Sequence, residues 1–174
     1  LTLDDDDGDL ENGTPHSAEI LQGFGLHGMD NFPEPVDNDS CQTAMLIESI
    51  DTSFTTLGAT TGGDSYSDSQ CSGTYLGSMN ADVWFDWTAC QTGNVTVSTC
   101  DLVGFDSDIV VYSEGCGNLN QVACNGDGDG CGNYTSSLTF SANQGVNYKI
   151  RVGGYDGSAV GTGLLRVEGP GTPC

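Results

Sequence analysis

Positive charge is almost missing from this chain: three Lys and Arg stand against 25 Asp and Glu in 174 residues, a formal net charge of −22. Nucleic-acid phosphates and anionic lipid heads are bound by Lys and Arg that displace counterions, so both partners are excluded. No stretch approaches the roughly 18 apolar residues that span a bilayer as a helix, which excludes membrane insertion of that kind. The first residues lack the basic and apolar regions of a signal peptide and read as an already processed, soluble product. Histidine is scarce too. His16 and His27 both lie near the N-terminus, so a Ser-His-Asp triad or a Cys-His pair has little to be built from, and the chain is read as no enzyme. Nor is there a sustained helical period, which argues against α/β folds with parallel sheets.

What the chain does have is cysteine, at 41, 71, 90, 100, 116, 124, 131 and 174. An even number in an acidic chain points to an oxidising, extracellular setting. Zinc prefers tight cysteine pairs, whereas Cys124 and Cys131, the closest two here, have six residues between them and no histidine nearby. Eight cysteines allow 105 pairings. Spacing favours Cys90 with Cys100, which flank Gln91-Thr92-Gly93-Asn94 and one strand. Cys116, Cys124 and Cys131 then compete among themselves and leave one to reach Cys41, Cys71 or Cys174. No free thiol is expected.

Two regions differ in composition. Residues 1–37 form an acidic arm with turn-formers and no Lys, Arg or Cys, interrupted by an apolar island that includes Ile20, Leu21, Phe24 and Leu26. That island is a candidate self-association surface, through which copies would join into a homo-oligomer or fibre. Residues 38–174 carry runs rich in Val, Ile, Thr and aromatics between Gly, Asn, Asp and Ser clusters, the pattern of β-strands. The clearest are 82–88, 94–99, 108–112, 137–141, 146–152 and 163–168. A period near two puts Val83, Phe85 and Trp87 on one face, with Val95 and Val97, Leu138 and Phe140, and Val146, Tyr148, Ile150 and Val152 as matching faces. Two antiparallel sheets packed face to face bury them all, giving an all-β sandwich of jelly-roll type. Trp84 and Trp87 have opposite parity, so one is expected in the core and the other at the surface.

Several segments, in order, resemble the bacterial pre-peptidase C-terminal domain: Asn38-Asp39-Ser40-Cys41, Gly58-Ala59-Thr60-Thr61, Asp82-Val83-Trp84-Phe85, Val95-Thr96-Val97-Ser98-Thr99-Cys100, Phe105-Asp106-Ser107-Asp108-Ile109, Ala123-Cys124-Asn125 and Ile150-Arg151-Val152-Gly153-Gly154. The resemblance spans about residues 38–168. It implies a jelly-roll-like sandwich on secreted or cell-surface bacterial proteins, no catalysis by the domain itself, calcium in some members where the linker meets the sandwich, and collagen or polysaccharide as the ligand of others.

Calcium takes six to eight oxygens, so carboxylates and carbonyls must converge from a loop. Asp37, Asn38 and Asp39 match the linker position that the resemblance implies, with Asp64, Asp68 and Asp82 as partners; the alternative is an ordinary polar linker. Asn125, Asp127 and Asp129 alternate with glycines like the opening of an EF-hand loop, but the twelfth position is Ser136 and no helix flanks it. A simpler loop site or a Gly-rich turn remains. Asp106 and Asp108 share one side of a strand start and are read as charge on a sheet edge, with a third metal site as the alternative. Asn12, Asn38, Asn94 and Asn133 each open an N-x-Ser/Thr acceptor. Tyr66, Tyr75, Tyr112, Tyr134 and Tyr155 lie in or near loops where a sugar ring would stack. Together these features predict an extracellular, calcium-binding structural module assembling through its arm, or else a polysaccharide- or matrix-binding adhesion module.

Overall fold

Alternation of apolar and polar side chains marks most of the nine strands described by a computed structural model over residues 36–71 and 74–171. These residues belong to one compact unit, Pro35–Cys174. The strands are β1 (Met45–Leu46), β2 (Asp51–Thr55), β3 (Asn80–Thr88), β4 (Gly93–Ser98), β5 (Ser107–Ser113), β6 (Asn120–Asn125), β7 (Ser137–Ala142), β8 (Asn147–Gly154) and β9 (Thr162–Glu168). Among the described residues, helix is confined to three single 3-10 turns, at Cys41–Thr43, Asp68–Gln70 and Gly132–Tyr134. Residues 1–35 of the expected arm, with Ile20, Leu21, Phe24 and Leu26, and Cys174 lie outside the described residues, as do both histidines.

A five-stranded sheet in the order β1-β3-β8-β5-β6 faces a four-stranded sheet in the order β2-β9-β4-β7. All pairings are antiparallel except the two-residue contact of β1 with β3. The predicted faces meet between the sheets: Val83, Phe85 and Trp87 pack with Val95, Val97, Leu138, Phe140, Tyr148, Ile150 and Val152. Trp87, Phe140 and Tyr148 form a cluster of edge and tilted ring contacts with centroids 5.0–6.5 Å apart. The fold is the expected β-sandwich.

The outward face of the five-stranded sheet departs from expectation, because it is covered rather than wet. Trp84, Val110 and Tyr112, of opposite parity to the main core, pack with Leu76, Met79, Cys41, Cys71 and Cys124 in a second core. Trp84 stacks on Tyr112 at 5.6 Å. Both tryptophans are therefore buried, and the expectation that one faces the surface fails. Loops cover this face because disulfides hold them there: Cys41–Cys116 and Cys71–Cys124. The third described disulfide is Cys100–Cys131. Cys90 is also disulfide-bonded, but Cys100 is not its partner, so the hairpin pairing predicted from spacing is wrong. Cys116, Cys124 and Cys131 do not pair among themselves either; each reaches a cysteine 31 to 75 residues earlier. No cysteine among the described residues is free.

Beneath the covering loops lies Arg151 of β8, fully buried and paired with Asp82 of β3, also fully buried. Its Nε donates to Asp82 Oδ2 at 2.8 Å and its Nη2 to Oδ1 at 3.0 Å. The remaining donors pin the loop above it, reaching the carbonyl oxygens of Asp64 at 2.9 Å and Gly62 at 3.0 Å. Trp84 Nε1 and the Gly62 amide also donate to Asp82, and the guanidinium lies over the rings of Trp84 and Tyr66.

Removing one member of such a pair strands the other in the dry interior. Arg151→Met is expected to cost about 3–5 kcal/mol of stability. Arg166→Met, which breaks a pair with the exposed Asp51, should cost far less, because water screens an exposed pair. Urea denaturation of the two variants checks the ranking; equal losses would refute the role given to Arg151.

Candidate functional site

Register brings many loops to one end of the sandwich. Gly154, the last residue of β8, pairs with Asn80, the first of β3, and with Ser107, the first of β5. Ile109 of β5 pairs with Asn125, where β6 ends, and Ser98, ending β4, pairs with Ser137, opening β7. The segments around residues 74–79, 99–106, 126–136 and 155–161 therefore gather at this end. They are cross-tied: the Ser78 amide donates to the Tyr155 carbonyl at 3.0 Å, the Tyr155 amide to the Asp106 carbonyl at 3.2 Å, and the Gly126 amide to Thr74 Oγ1 at 2.9 Å. Met79 and Ala81 adopt left-handed backbone conformations, φ 45° and 48°, where the chain enters β3. Such strain in non-glycine residues gathers at functional sites.

Two kinds of side chain mark this end. Tyr75, Tyr134 and Tyr155 are 68%, 68% and 45% exposed, and they are the exposed aromatic residues among those described. The other three tyrosines hold the structure together. Tyr148 is in the main core and Tyr112 in the outer one, while Tyr66 hydrogen-bonds the Gly77 carbonyl.

The second kind is carboxylate. Asp108 has no exposed surface, and neither of its oxygens has a hydrogen-bond partner. Burial, reinforced by the negative charges of Asp106, Asp127 and Asp68, pushes its pKa up to about 9. Burial also raises Asp106, to about 6, with Asp127 and Asp156 adding to the shift. Asp108 does not cap a sheet edge, as its spacing with Asp106 suggested, because β5 lies between β8 and β6 inside the sheet. It occupies the same side as Val110 and Tyr112, the parity that the covering loops bury.

The predicted metal ligands are redistributed. Asp127 and Asp68, assigned from sequence to two different sites, both act on Asp108. Asn125 is used to close its own loop, accepting from the Ser137 amide and donating to the Asp127 carbonyl; Asp129 is exposed. At the linker, both Asp39 oxygens are taken by the Thr60 amide and hydroxyl, Asn38 is buried and donates to the Trp84 carbonyl, and Asp37 is exposed. The burial of Asn38 also removes it as a glycan acceptor. Asp64 lines a separate shallow pocket with Ser65, Gly117, Asn118 and Leu119. Asp82 cannot serve as a metal ligand, since the permanent positive charge of Arg151 already occupies its carboxylate. Among the described residues no three His, Cys, Asp or Glu side chains stand preassembled around a metal position.

A disulfide-stapled sandwich thus carries exposed aromatics and buried acids at one loop end, and the match that gives its family also marks it as a secreted or cell-surface bacterial binding module. Its family is settled by a family-model match over residues 37–163: the chain belongs to the T9SS-associated, galactose binding domain-like family. The resemblance to the pre-peptidase C-terminal domain thus holds at the level of a secreted bacterial β-module rather than of that family by name. A similar solved structure is that of CorA, a surface-associated copper-binding protein important in copper acquisition by Methylomicrobium album BG8. It overlays with a TM-score of 0.48 at 12% identity, covering 73% of this chain and 98% of that one. No curated protein matches the chain.

Unfolding returns Asp108 and Asp106 to ordinary carboxylate behaviour. Between about pH 4 and about pH 9 the folded state therefore binds more protons than the unfolded one, and stability falls as pH rises. In chelator, the thermal midpoint is expected to be lower at pH 8 than at pH 5. A midpoint that climbs over this range would show that these two carboxyls are not desolvated as described.

Proposed function

We propose that the chain is a non-catalytic carbohydrate-binding module whose loop end, carrying Tyr75, Tyr134 and Tyr155, receives sugar rings. The observation that carries this is where the exposed aromatics stand. Each of the three most exposed tyrosines lies between strands at the same end, on a loop or, for Tyr134, in a 3-10 turn. An amphipathic ring offers a flat apolar surface to the C–H face of a pyranose and a hydroxyl to its rim. Polar groups beside such a platform fix orientation; Asp156, Ser158 and Asp127 lie on the neighbouring loops and Asn80 opens β3. The family's description, galactose binding domain-like, supports sugars as the ligand class.

Catalysis finds less support. Every described cysteine is oxidised, which removes a thiolate nucleophile, and the raised pKa values of Asp106 and Asp108 follow from burial and mutual repulsion rather than from a nucleophile or leaving-group contact. The fibre alternative through Ile20, Leu21, Phe24 and Leu26 rests wholly on residues outside those described.

Retention on immobilised galactose-containing and other polysaccharides tests the proposal. Tyr75→Ala and Tyr155→Ala should each weaken binding about tenfold, the loss typical of an anchoring aromatic. Gln144→Ala, at the opposite β7–β8 turn, should leave it unchanged. Saturable glycan binding indifferent to both tyrosines would move the site elsewhere, and no glycan binding at all would refute the proposal.

A further inference from the structure

Asp108 presents an electrostatic problem that the chain's own cations do not solve. The sequence has three Lys and Arg, and each is committed elsewhere: Lys149 to Asp86, Arg151 to Asp82 and Arg166 to Asp51. Asp108 nonetheless lies fully buried with both carboxylate oxygens unpartnered. A buried carboxylate left in this way is costly whether ionised or protonated, because the proton would have no acceptor and the oxygens no donor.

The surroundings show which kind of ligand removes that cost. The backbone at Gly126 is packed so closely that a methyl group there would lie 1.9 Å from the Tyr75 carbonyl oxygen and 3.1 Å from Asp108 Oδ1. Asp108 and a main-chain carbonyl thus flank the loop that carries Asp127. Asp106, Asp127 and Asp68 are the charged groups acting on Asp108, and all are negative. Oxygen donors of one sign around a buried anionic oxygen fit a hard divalent cation; they repel an anion and offer no soft or nitrogen ligand.

We infer that this end of the sandwich seats a calcium-class divalent cation on the buried Asp108 carboxylate, with Asp106, Asp127 and Asp68 converging on it. Because these acids do not stand preassembled, binding draws the exposed Asp127 and Asp68 inward over Asp108. Asp127 sits between Gly126 and Gly128, whose amides are held by Thr74 Oγ1 and the Thr135 carbonyl, so its exposed side chain rather than its backbone makes this movement. The Asp68 carboxylate already accepts from the Leu76 amide at 3.2 Å, so its turn is tied to the segment bearing Tyr75. The inference does not depend on the sugar proposal: it concerns an ion, and it is read without any glycan.

The test is calorimetric titration of the full, oxidised chain, stripped with chelator, with calcium chloride. The wild type should bind saturably, and its thermal midpoint should rise with calcium, as for any ligand selective for the folded state. Asp108→Asn should lose saturable binding, with a midpoint in chelator no lower than that of the wild type. Asp127→Asn, altering an exposed residue outside both cores, should weaken binding about tenfold or more, since charge count sets the affinity of such sites. Asp129→Asn should change nothing. A wild type that does not bind, or an Asp108→Asn variant that binds as tightly as the wild type, overturns the inference. If Asp108→Asn does not fold, Asp127→Asn decides, and unchanged affinity there overturns it equally. Calcium binding without glycan binding would refute the sugar proposal alone; glycan binding in chelator, with no calcium bound, would refute the cation seat alone.

Discussion

The buried ion pair of Arg151 with Asp82 is the interaction on which the covered face of this sandwich depends. A sheet that buries one face ordinarily leaves the other to water. Here the guanidinium uses the outward face of β8 as an anchor point, binding Asp82 on the neighbouring strand with one edge and two carbonyls of the overlying loop with its other donors. It therefore fixes the 62–66 segment at a set height over the sheet. Trp84 and Tyr112 fill the space beneath, and the Cys41–Cys116 and Cys71–Cys124 bridges close it. A buried pair is a weak source of net stability, since desolvation offsets much of its attraction. Its contribution is positional: any other placement of that loop leaves guanidinium donors without their carbonyl partners in the interior.

Burial orders the three cations by what they do. Arg151 is enclosed and bidentate, Lys149 is mostly covered and pairs with Asp86, and Arg166 meets Asp51 across the exposed β2–β9 edge. Only the first is placed to organise structure; exposed pairs contribute about 1 kcal/mol at most. With positive charge so scarce, the acids at the loop end face one another instead, and that mutual repulsion is part of what raises Asp106 and Asp108.

Sequence made the main core legible and hid the outer one. Period-two alternation located β3, β4, β5, β7, β8 and β9 to within two residues, because each has a face that must be buried. β1, β2 and β6 lacked that signal: β1 has two residues, and β2 and β6 are largely exposed. The outer core was concealed because alternation assigns the second parity to water, although Trp84, Val110 and Tyr112 at that parity were the sign of a covering layer. The disulfides were misjudged for a related reason. Spacing sees hairpins, whereas the described bridges close separations of 75, 53 and 31 residues that only the tertiary fold brings together. At the site, spacing assigns Asp68 and Asp127 to different loops although both act on Asp108, and it reads Asp108 as edge charge because its strand's central place in the sheet is not written in local pattern.

Asp82 and Asp108 make a natural comparison within one molecule. Both are aspartates on adjacent parts of the same sheet, both fully buried, both on its outward side. Asp82 has four donors, a permanent cation among them; Asp108 has none. The difference is not one of depth, so the solvation penalty does not distinguish them; what distinguishes them is that the chain supplies a counter-ion to one. A cation taken from solution would complete the symmetry, and its influence would extend outward. Leu76, tied to Asp68, follows Tyr75 directly, and the Tyr155 amide is bonded to the Asp106 carbonyl. An ion that orders these acids therefore also orders the tyrosines above them. By linkage, a sugar held on those rings would tighten the ion by the same factor.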